Sequence, residues 1–426
     1  MRARRAVLLL LAAALLVRVL ALLAYTSIPL LRSVIEGGDT GEYMQLARNL
    51  LADRVFRFDG GSSTAFRMPG YPLFLVLAYA LWHSAFPAIM IQILADLLTI
   101  SIVCHMARQL RCSMICVLVA GSAVAFNPLL IISALSLLPE TLTVCLTAMA
   151  VLSLILVREQ IRTNILAFVA LSASIYLKPT MAPVSLALML LFALRWLFVS
   201  GLKRKTIMLM LPLIVIIAMA PWTARNHEVM RAFVPLTTSN GTNLYGGNNP
   251  HTDGGYVSDQ PYVLPGMTEV ESDHALSRRV LAWIKANPRE FAHLLPLKAL
   301  RFLWPLSRGT SGYVAVPMPI FLFIMVTTIM FYLFVCFGIW SLIKRKYYWE
   351  LRFLPAVPTS LLFISLLTFG AARFALPGFP GLAVLAALGA EKAMTILPGT
   401  RQCRRAGRIS LATRSSTLRL HSTERF

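Results

Sequence analysis

Long apolar runs separated by short basic stretches organise most of the chain. After Met1–Arg5 an apolar run extends to about Ile28, and others fall near 87–107, 112–131, 140–157, 163–178, 180–200, 206–224, 315–341, 353–370 and 375–395. Each approaches the roughly 20 residues that a helix needs to cross a bilayer, so the pattern predicts an all-α polytopic protein with about ten transmembrane helices. The first run outlasts the roughly 7–15 apolar residues of a cleavable signal and is read as a retained helix. Residues 71–84, YPLFLVLAYALWHS, are apolar but short and lie between Pro69 and Pro87. They are expected to lie along the membrane interface.

Two segments, 29–86 and 225–312, break the apolar pattern. In the first, GGDTGEYMQLARNLLAD (37–53) spaces Tyr43, Leu46, Ala47, Leu50 and Leu51 by threes and fours, with Glu42, Gln45, Arg48 and Asn49 on the other side. This predicts a juxtamembrane helix capped by Asp39 or Thr40. The second opens on SNGTNLYGGNNPHTDGG (239–255), a composition suited to a convoluted binding loop. It continues over 268–301 with the spacing of one or two amphipathic helices.

Composition excludes a soluble protein: charged residues are 14% and hydrophobic residues 58%, where a soluble domain carries about 25% charged. The chain holds 40 Lys and Arg against 18 Asp and Glu, a net charge of +22. No soluble domain offers that charge to nucleic acid, and the positive-inside bias of membrane proteins accounts for it. If 71–84 is interfacial, more than half of the basic residues collect on one side: Arg2, Arg4, Arg5, Arg108, Arg111, Arg158, Arg162, Lys203, Arg204, Lys205, those of 344–352, and the tail from Arg401. That side is the cytoplasm, so both termini lie inside and the loops 29–86 and 225–312 face outward. The expected organisation is a catalytic membrane module over 1–224, an outward loop over 225–312, further membrane helices over 313–396 and a basic tail over 397–426 that anchors on anionic lipid. The six cysteines avoid both outward loops, so no disulfide framework is expected there. The loop histidines occur singly, and no metal is assigned to them.

Charged residues at the outward ends of the helices carry the candidate chemistry. Asp39 stands just above the bilayer, either as a helix cap or as a site acid. In FRMPGYP (66–72) a stiff, turn-prone backbone fixes Arg67, which suits it to an oxyanion such as phosphate or to lipid headgroups. Arg18 and Asp96 lie inside predicted helices at similar depth; each alone would cost about 2.5–3.5 kcal/mol, so a structural ion pair between them is expected.

An outward G-D-x-x-x-Y (Gly38–Tyr43), then R-x-P-G-Y-P (Arg67–Pro72) before a helix with Gln92 and Asp96, resembles the GT-C superfamily of membrane glycosyltransferases. Within it, the similarity is to the branch of protein O-mannosyltransferases and lipid A aminoarabinose transferases. LLPETL around Glu140, PWTARN (221–226), the Asn/Gly-rich loop and RFALPGFP (373–380) follow in order, so the resemblance covers roughly 1–390. The aminoarabinose transferases carry a lysine in an E-K-P context where this chain has Phe66-Arg67-Met68-Pro69, a departure from that branch.

The resemblance implies a GT-C-type fold and transfer of a monosaccharide from a polyprenyl-phosphate donor to an extracytoplasmic glycan, lipid or protein acceptor. It implies Asp39 as the catalytic acid/base, with Glu140 as a second acid that orients the acceptor, binds a divalent cation or simply ends its helix. It also implies that Arg67, Arg225, Arg373 and Lys178 converge near Asp39 to stabilise the departing phosphate, and that Tyr43 and Tyr71 contact substrate or serve an aromatic belt. The location it implies is a bacterial inner membrane. The competing readings are a transporter or flippase of lipid-linked sugars and a polysaccharide polymerase or ligase. A transporter would place its polar residues near the midplane, whereas these collect at the outer ends.

Overall fold

The computed structural model describes residues 2–27, 39–156, 161–197, 202–304, 318–343 and 349–396. The predicted basic tail at 397–426 and the basic stretch at 344–348 lie outside the described residues. Among the described residues the chain is helical, with one isolated bridge between Arg57 and Ser63 and no strand.

In order, the helices are α1 (Arg2–Ser27), α2 (Thr40–Asp53), α3 (Gly70–Trp82), α4 (Phe86–Gln109), α5 (Met114–Ala125), α6 (Pro128–Leu135), α7 (Glu140–Ile155), α8 (Ile161–Leu177) and α9 (Met181–Leu197). There follow α10 (Leu202–Met210), α11 (Leu213–Met230), α12 (Asn240–Gly247), α13 (Glu269–Ala286), α14 (Pro288–Leu303), α15 (Met318–Ile343), α16 (Phe353–Leu367), α17 (Ala372–Ala375) and α18 (Phe379–Ile396). Every apolar run of the sequence contains helix. Among the described residues, five segments are long and apolar enough to cross a membrane: Arg4–Ser27, Phe86–Gln109, Thr206–Met230, Phe321–Ile343 and Ala372–Met394. The others are shorter than the sequence suggests, with α7, α8, α9 and α16 spanning 16, 17, 17 and 15 residues. Their outward surfaces remain apolar, as at Leu190 and Phe363, which suits a lipid surround. The chain is a multi-pass membrane protein.

The run at 112–131 departs from the expected single span. It divides into α5 and α6, bent by 49°. Pro128 has no N–H to continue the ladder, and the Asn127 side chain accepts from Leu129 N at 2.9 Å, starting a new helix. The break leaves the last carbonyls of α5 without helical partners. Arg18 answers this: its Nε donates to Asp96 Oδ2 at 2.7 Å, and its Nη1 donates to the Ala125 carbonyl. One buried guanidinium therefore neutralises an acid of α4 and caps α5, joining three helices at membrane depth.

The second polar segment contains the two amphipathic helices α13 and α14. Thr268 and Glu271 form a capping box, with Glu271 Oε2 accepting from Thr268 N at 2.8 Å. Glu269 ties the two polar segments together, accepting from Thr64 Oγ1 at 2.7 Å, Ala65 N at 2.9 Å and the Thr238 hydroxyl. Lys298, fully buried, donates to Asn248 Oδ1 at 2.7 Å and to the Leu366 carbonyl at 3.1 Å. Gly247 lies so close to the Thr368 carbonyl that any side chain would collide with it. These contacts clamp the loop onto residues 366–370, just before Arg373.

Candidate active site

The site begins where α2 begins. Asp39 takes the N-cap position, but its backbone is helical (φ −76°, ψ −2°) and its side chain caps nothing. An extended N-cap lets the carboxylate turn back onto its own helix; here it turns outward, onto two guanidiniums. Arg67 Nη2 stands 3.0 Å from Asp39 Oδ1, and Arg373 Nη2 stands 3.0 Å from Oδ2. The capping role foreseen for the Asp39 side chain is absent, because charge-assisted bonds to two arginines are the stronger partners.

Arg67 is held from several directions. Its Nε and Nη2 both reach Glu42 Oε2, at 2.8 and 2.7 Å, and the Tyr43 and Phe66 rings lie 5.6 and 5.2 Å from its Cζ. Glu42 is fixed in turn by the Tyr262 hydroxyl at 3.1 Å. The backbone explains the placement. Pro69 starts α3, and Gly70 packs so closely that a Cβ there would lie 2.6 Å from the Tyr176 carbonyl oxygen, near the end of α8. That close packing brings the loop carrying Arg67 beside the loop carrying Lys178.

Glu140 opens α7 after Pro139, and its Oε1 accepts from Lys178 Nζ at 2.9 Å. Its other oxygen, Oε2, is buried without a hydrogen-bond partner, as are the hydroxyls of Thr40 and Thr141. Phe374 links the two ion groups: Lys178 Nζ lies 4.9 Å from its ring centre and Arg373 Cζ 5.6 Å. Burial pushes the Asp39 carboxyl up, but Arg373, then Arg67 and Lys178, outweigh it and hold the group below its ordinary value of 3.8. Burial lowers Lys178, and Glu140 opposes that shift only in part. Burial raises Tyr43, which keeps its phenol protonated. Arg67 is desolvated as well, yet the field of Asp39 raises it and keeps it charged.

Five of the residues singled out from the sequence therefore meet here: Asp39, Arg67, Arg373, Glu140 and Lys178. Tyr43 borders them, its ring edge-on to Tyr71 at 5.2 Å. Tyr71 itself is fully buried, and its hydroxyl is taken by Gln92 Oε1 at 2.7 Å, so it presents nothing to a ligand. Arg225 does not join the cluster. Its Nη1 donates to the Thr64 carbonyl at 2.7 Å and to Asn226 Oδ1 at 3.0 Å, while Trp222 and Phe56 flank it at 5.0 and 5.7 Å. The sequence suggested that a loop starts at 225; α11 instead runs on to Met230 and turns Arg225 against residues 56–64. Glu42, Tyr262 and Phe374 are site residues that the sequence reading missed. Glu42 was within reach of it, since three residues from Asp39 on a helix is one face. Tyr262 and Phe374 carry no local signal.

No protein-family model matches the chain, and no curated protein matches it. Solved structures do. The oligosaccharyltransferase AglB of Archaeoglobus fulgidus, in complex with an inhibitory peptide and a dolichol-phosphate, matches with a TM-score of 0.54 at 14% identity over 94% of this chain and 52% of its own. An Archaeoglobus fulgidus oligosaccharyltransferase tethered to an acceptor peptide matches with a TM-score of 0.50 at 14% identity, over 92% of this chain and 49% of that one. ArnT from Cupriavidus metallidurans bound to undecaprenyl phosphate superposes more loosely, with a TM-score of 0.41 at 13% identity over 91% and 77%. The chain spans about half the length of the oligosaccharyltransferases it matches. At this identity the likeness establishes architecture alone: the chain shares the fold of the membrane part of these oligosaccharyltransferases.

Proposed function

We propose that the chain is an integral-membrane glycosyltransferase that moves a monosaccharide from a polyprenyl-phosphate donor to an acceptor on the extracytoplasmic face. The observation that carries this reading is one carboxylate, Asp39, held between two guanidiniums contributed by distant segments of the chain. The likeness in fold to AglB, described in complex with a dolichol-phosphate, supports a lipid-phosphate donor. The chemistry follows from the charges. The acceptor O–H or N–H attacks the anomeric carbon as the bond from that carbon to the phosphate oxygen breaks. The departing polyprenyl phosphate gains one negative charge, and the acceptor proton passes to Asp39. Arg373 and Arg67 stand where that charge develops, with Lys178 behind them. A donor phosphate competes with Asp39 for the same guanidiniums. Its arrival releases the carboxylate from the cations that keep it weakly basic, so donor binding strengthens the base.

A divalent cation does not fit this donor set. Asp39 faces two arginines and Glu140 Oε1 a lysine, which leaves Glu140 Oε2 as the one unpartnered carboxylate oxygen of these two acids, whereas hard divalent ions require several. No group of three or more His, Cys, Asp or Glu that suits a metal occurs among the described residues. In this reading Arg225 is a structural residue, the segments 29–86 and 225–312 face the periplasm of a bacterial inner membrane, and both termini are cytoplasmic. The test is Asp39→Asn in purified protein supplied with radiolabelled polyprenyl-phosphate monosaccharides and membrane extract. Transfer should stop while protein level and donor binding persist; unchanged transfer refutes the assignment.

A further inference from the structure

A second, separate site opens on the outward segment. At the junction of α13 and α14 a groove of about 520 Å³ lies against the loop that follows α12, within the roughly 300–1,000 Å³ of small-molecule sites. Its floor is rigid. Asn249 Nδ2 donates to the Tyr245 and Val257 carbonyls at 2.8 and 2.7 Å, Thr252 Oγ1 donates to the Gly255 carbonyl at 2.7 Å, and Asn287 Nδ2 donates to the Trp283 carbonyl at 2.9 Å. The wall is different. Trp283 is half-buried and Arg289, Glu290 and His293 are exposed, and none of these four side chains has a protein partner among the described residues. Trp283 stands in the last turn of α13, Asn287 at the junction, and Glu290 and Leu294, four residues apart, on α14, so the two helix ends together supply an aromatic ring, an amide, a carboxylate and an aliphatic side chain.

We infer that this groove binds a neutral, hydroxyl-rich ligand, and that it is a subsite for a carbohydrate part of the acceptor. The inference rests on the glycosyltransferase reading for the acceptor role but not for the binding itself. The lining chemistry selects the class. The Arg289 and Glu290 charges cancel, which disfavours phosphate or carboxylate as the occupant. Arginine offers donors, glutamate acceptors, and asparagine and histidine both, which matches vicinal hydroxyls that donate and accept at once. The Trp283 indole pairs an apolar face with one polar N–H and so offers a platform to the C–H face of a sugar ring. The polar wall offers a lipid chain no continuous apolar surface.

The experiment is saturation-transfer NMR on the full-length protein in nanodiscs, with maltotriose, mannotriose and chitotriose as probes and no donor present. At least one trisaccharide should show transfer, inorganic phosphate should not displace it, and Trp283→Ala should weaken binding about tenfold. Because Trp283→Ala risks misfolding, the exposed pair Arg289→Ala/Glu290→Gln is measured beside it and should weaken the same probe. Asp39→Asn should bind the sugar normally, so loss of transfer and loss of sugar binding separate the two readings. No transfer to any trisaccharide, displacement by phosphate, or undiminished binding by both wall variants overturns the inference.

Discussion

Replacing Arg373 with glutamine removes a charge from the site while keeping a side chain of similar length. Arg373 Nη2 lies 3.0 Å from Asp39 Oδ2, and its side chain is 37% exposed, the most open of the three cations. Removing one preorganised donor from the point where charge develops typically costs about 10²–10³ in kcat. Solvent screening of a partly exposed group places Arg373 at the lower end, near 10²-fold, about 2.7 kcal/mol. The loss should appear in kcat more than in KM, since the extra phosphate charge exists only as the bond breaks. A second readout follows from Asp39. The base works ionised, and in the donor-free enzyme its carboxyl is held below 3.8 mainly by Arg373; wild-type kcat/KM, which reports the free enzyme, should therefore be flat down to about pH 5. With Arg373 gone, burial still pushes the carboxyl up and less opposes it, so the acid limb moves to higher pH. The assay is transfer from a radiolabelled polyprenyl-phosphate sugar between pH 4 and 8. A glutamine variant that keeps more than about a third of wild-type kcat/KM, or whose acid limb stays in place, refutes the reasoning.

Two further substitutions test the frame around the site. Arg18→Met alone should destabilise the protein by about 3–5 kcal/mol, because Asp96 is left buried and unpaired. Arg18→Met/Asp96→Leu should recover most of that but leave a deficit of about 1–3 kcal/mol from the uncapped Ala125 carbonyl, read as detergent thermal stability; full recovery would show that the cap contributes nothing. Arg225→Ala should lower stability by about 1–3 kcal/mol through the loss of its bond to Thr64. Donor KM in this variant should stay within about threefold of wild type, and a larger rise would return Arg225 to the phosphate.

Apolar runs make membrane helices legible because hydrocarbon forces every spanning backbone to satisfy its own hydrogen bonds. Composition therefore located the helices, and Arg18 with Asp96 gave away their pairing because two lone charges at one depth have few alternatives. Helix length was less legible. The α5–α6 break depends on Asn127 and Pro128, whose combined effect a hydropathy pattern averages away. It also created the open carbonyl that Arg18 fills.

Arg225 and Arg373 show where sequence reasoning reaches its limit. Both stand beside aromatic residues at the outer end of an apolar run, and their neighbours do not distinguish them. The difference is where each backbone points the guanidinium. Eight further residues of helix after Trp222, ending at the left-handed Arg231 (φ 52°), carry Arg225 alongside the carbonyls of residues 56–64. Arg373 instead follows Gly370, which packs on the Lys298 carbonyl and donates its own N–H to the Gly254 carbonyl at 2.8 Å. The position of Arg373 is therefore set by the clamp between the second polar loop and the last helices. Lys298, Asn248 and Gly254 lie well over a hundred residues from Asp39 in the chain, yet they determine whether the second guanidinium reaches it. Under the proposed function this loop then helps to shape the phosphate site, and loosening the clamp should weaken transfer without touching any group that contacts substrate.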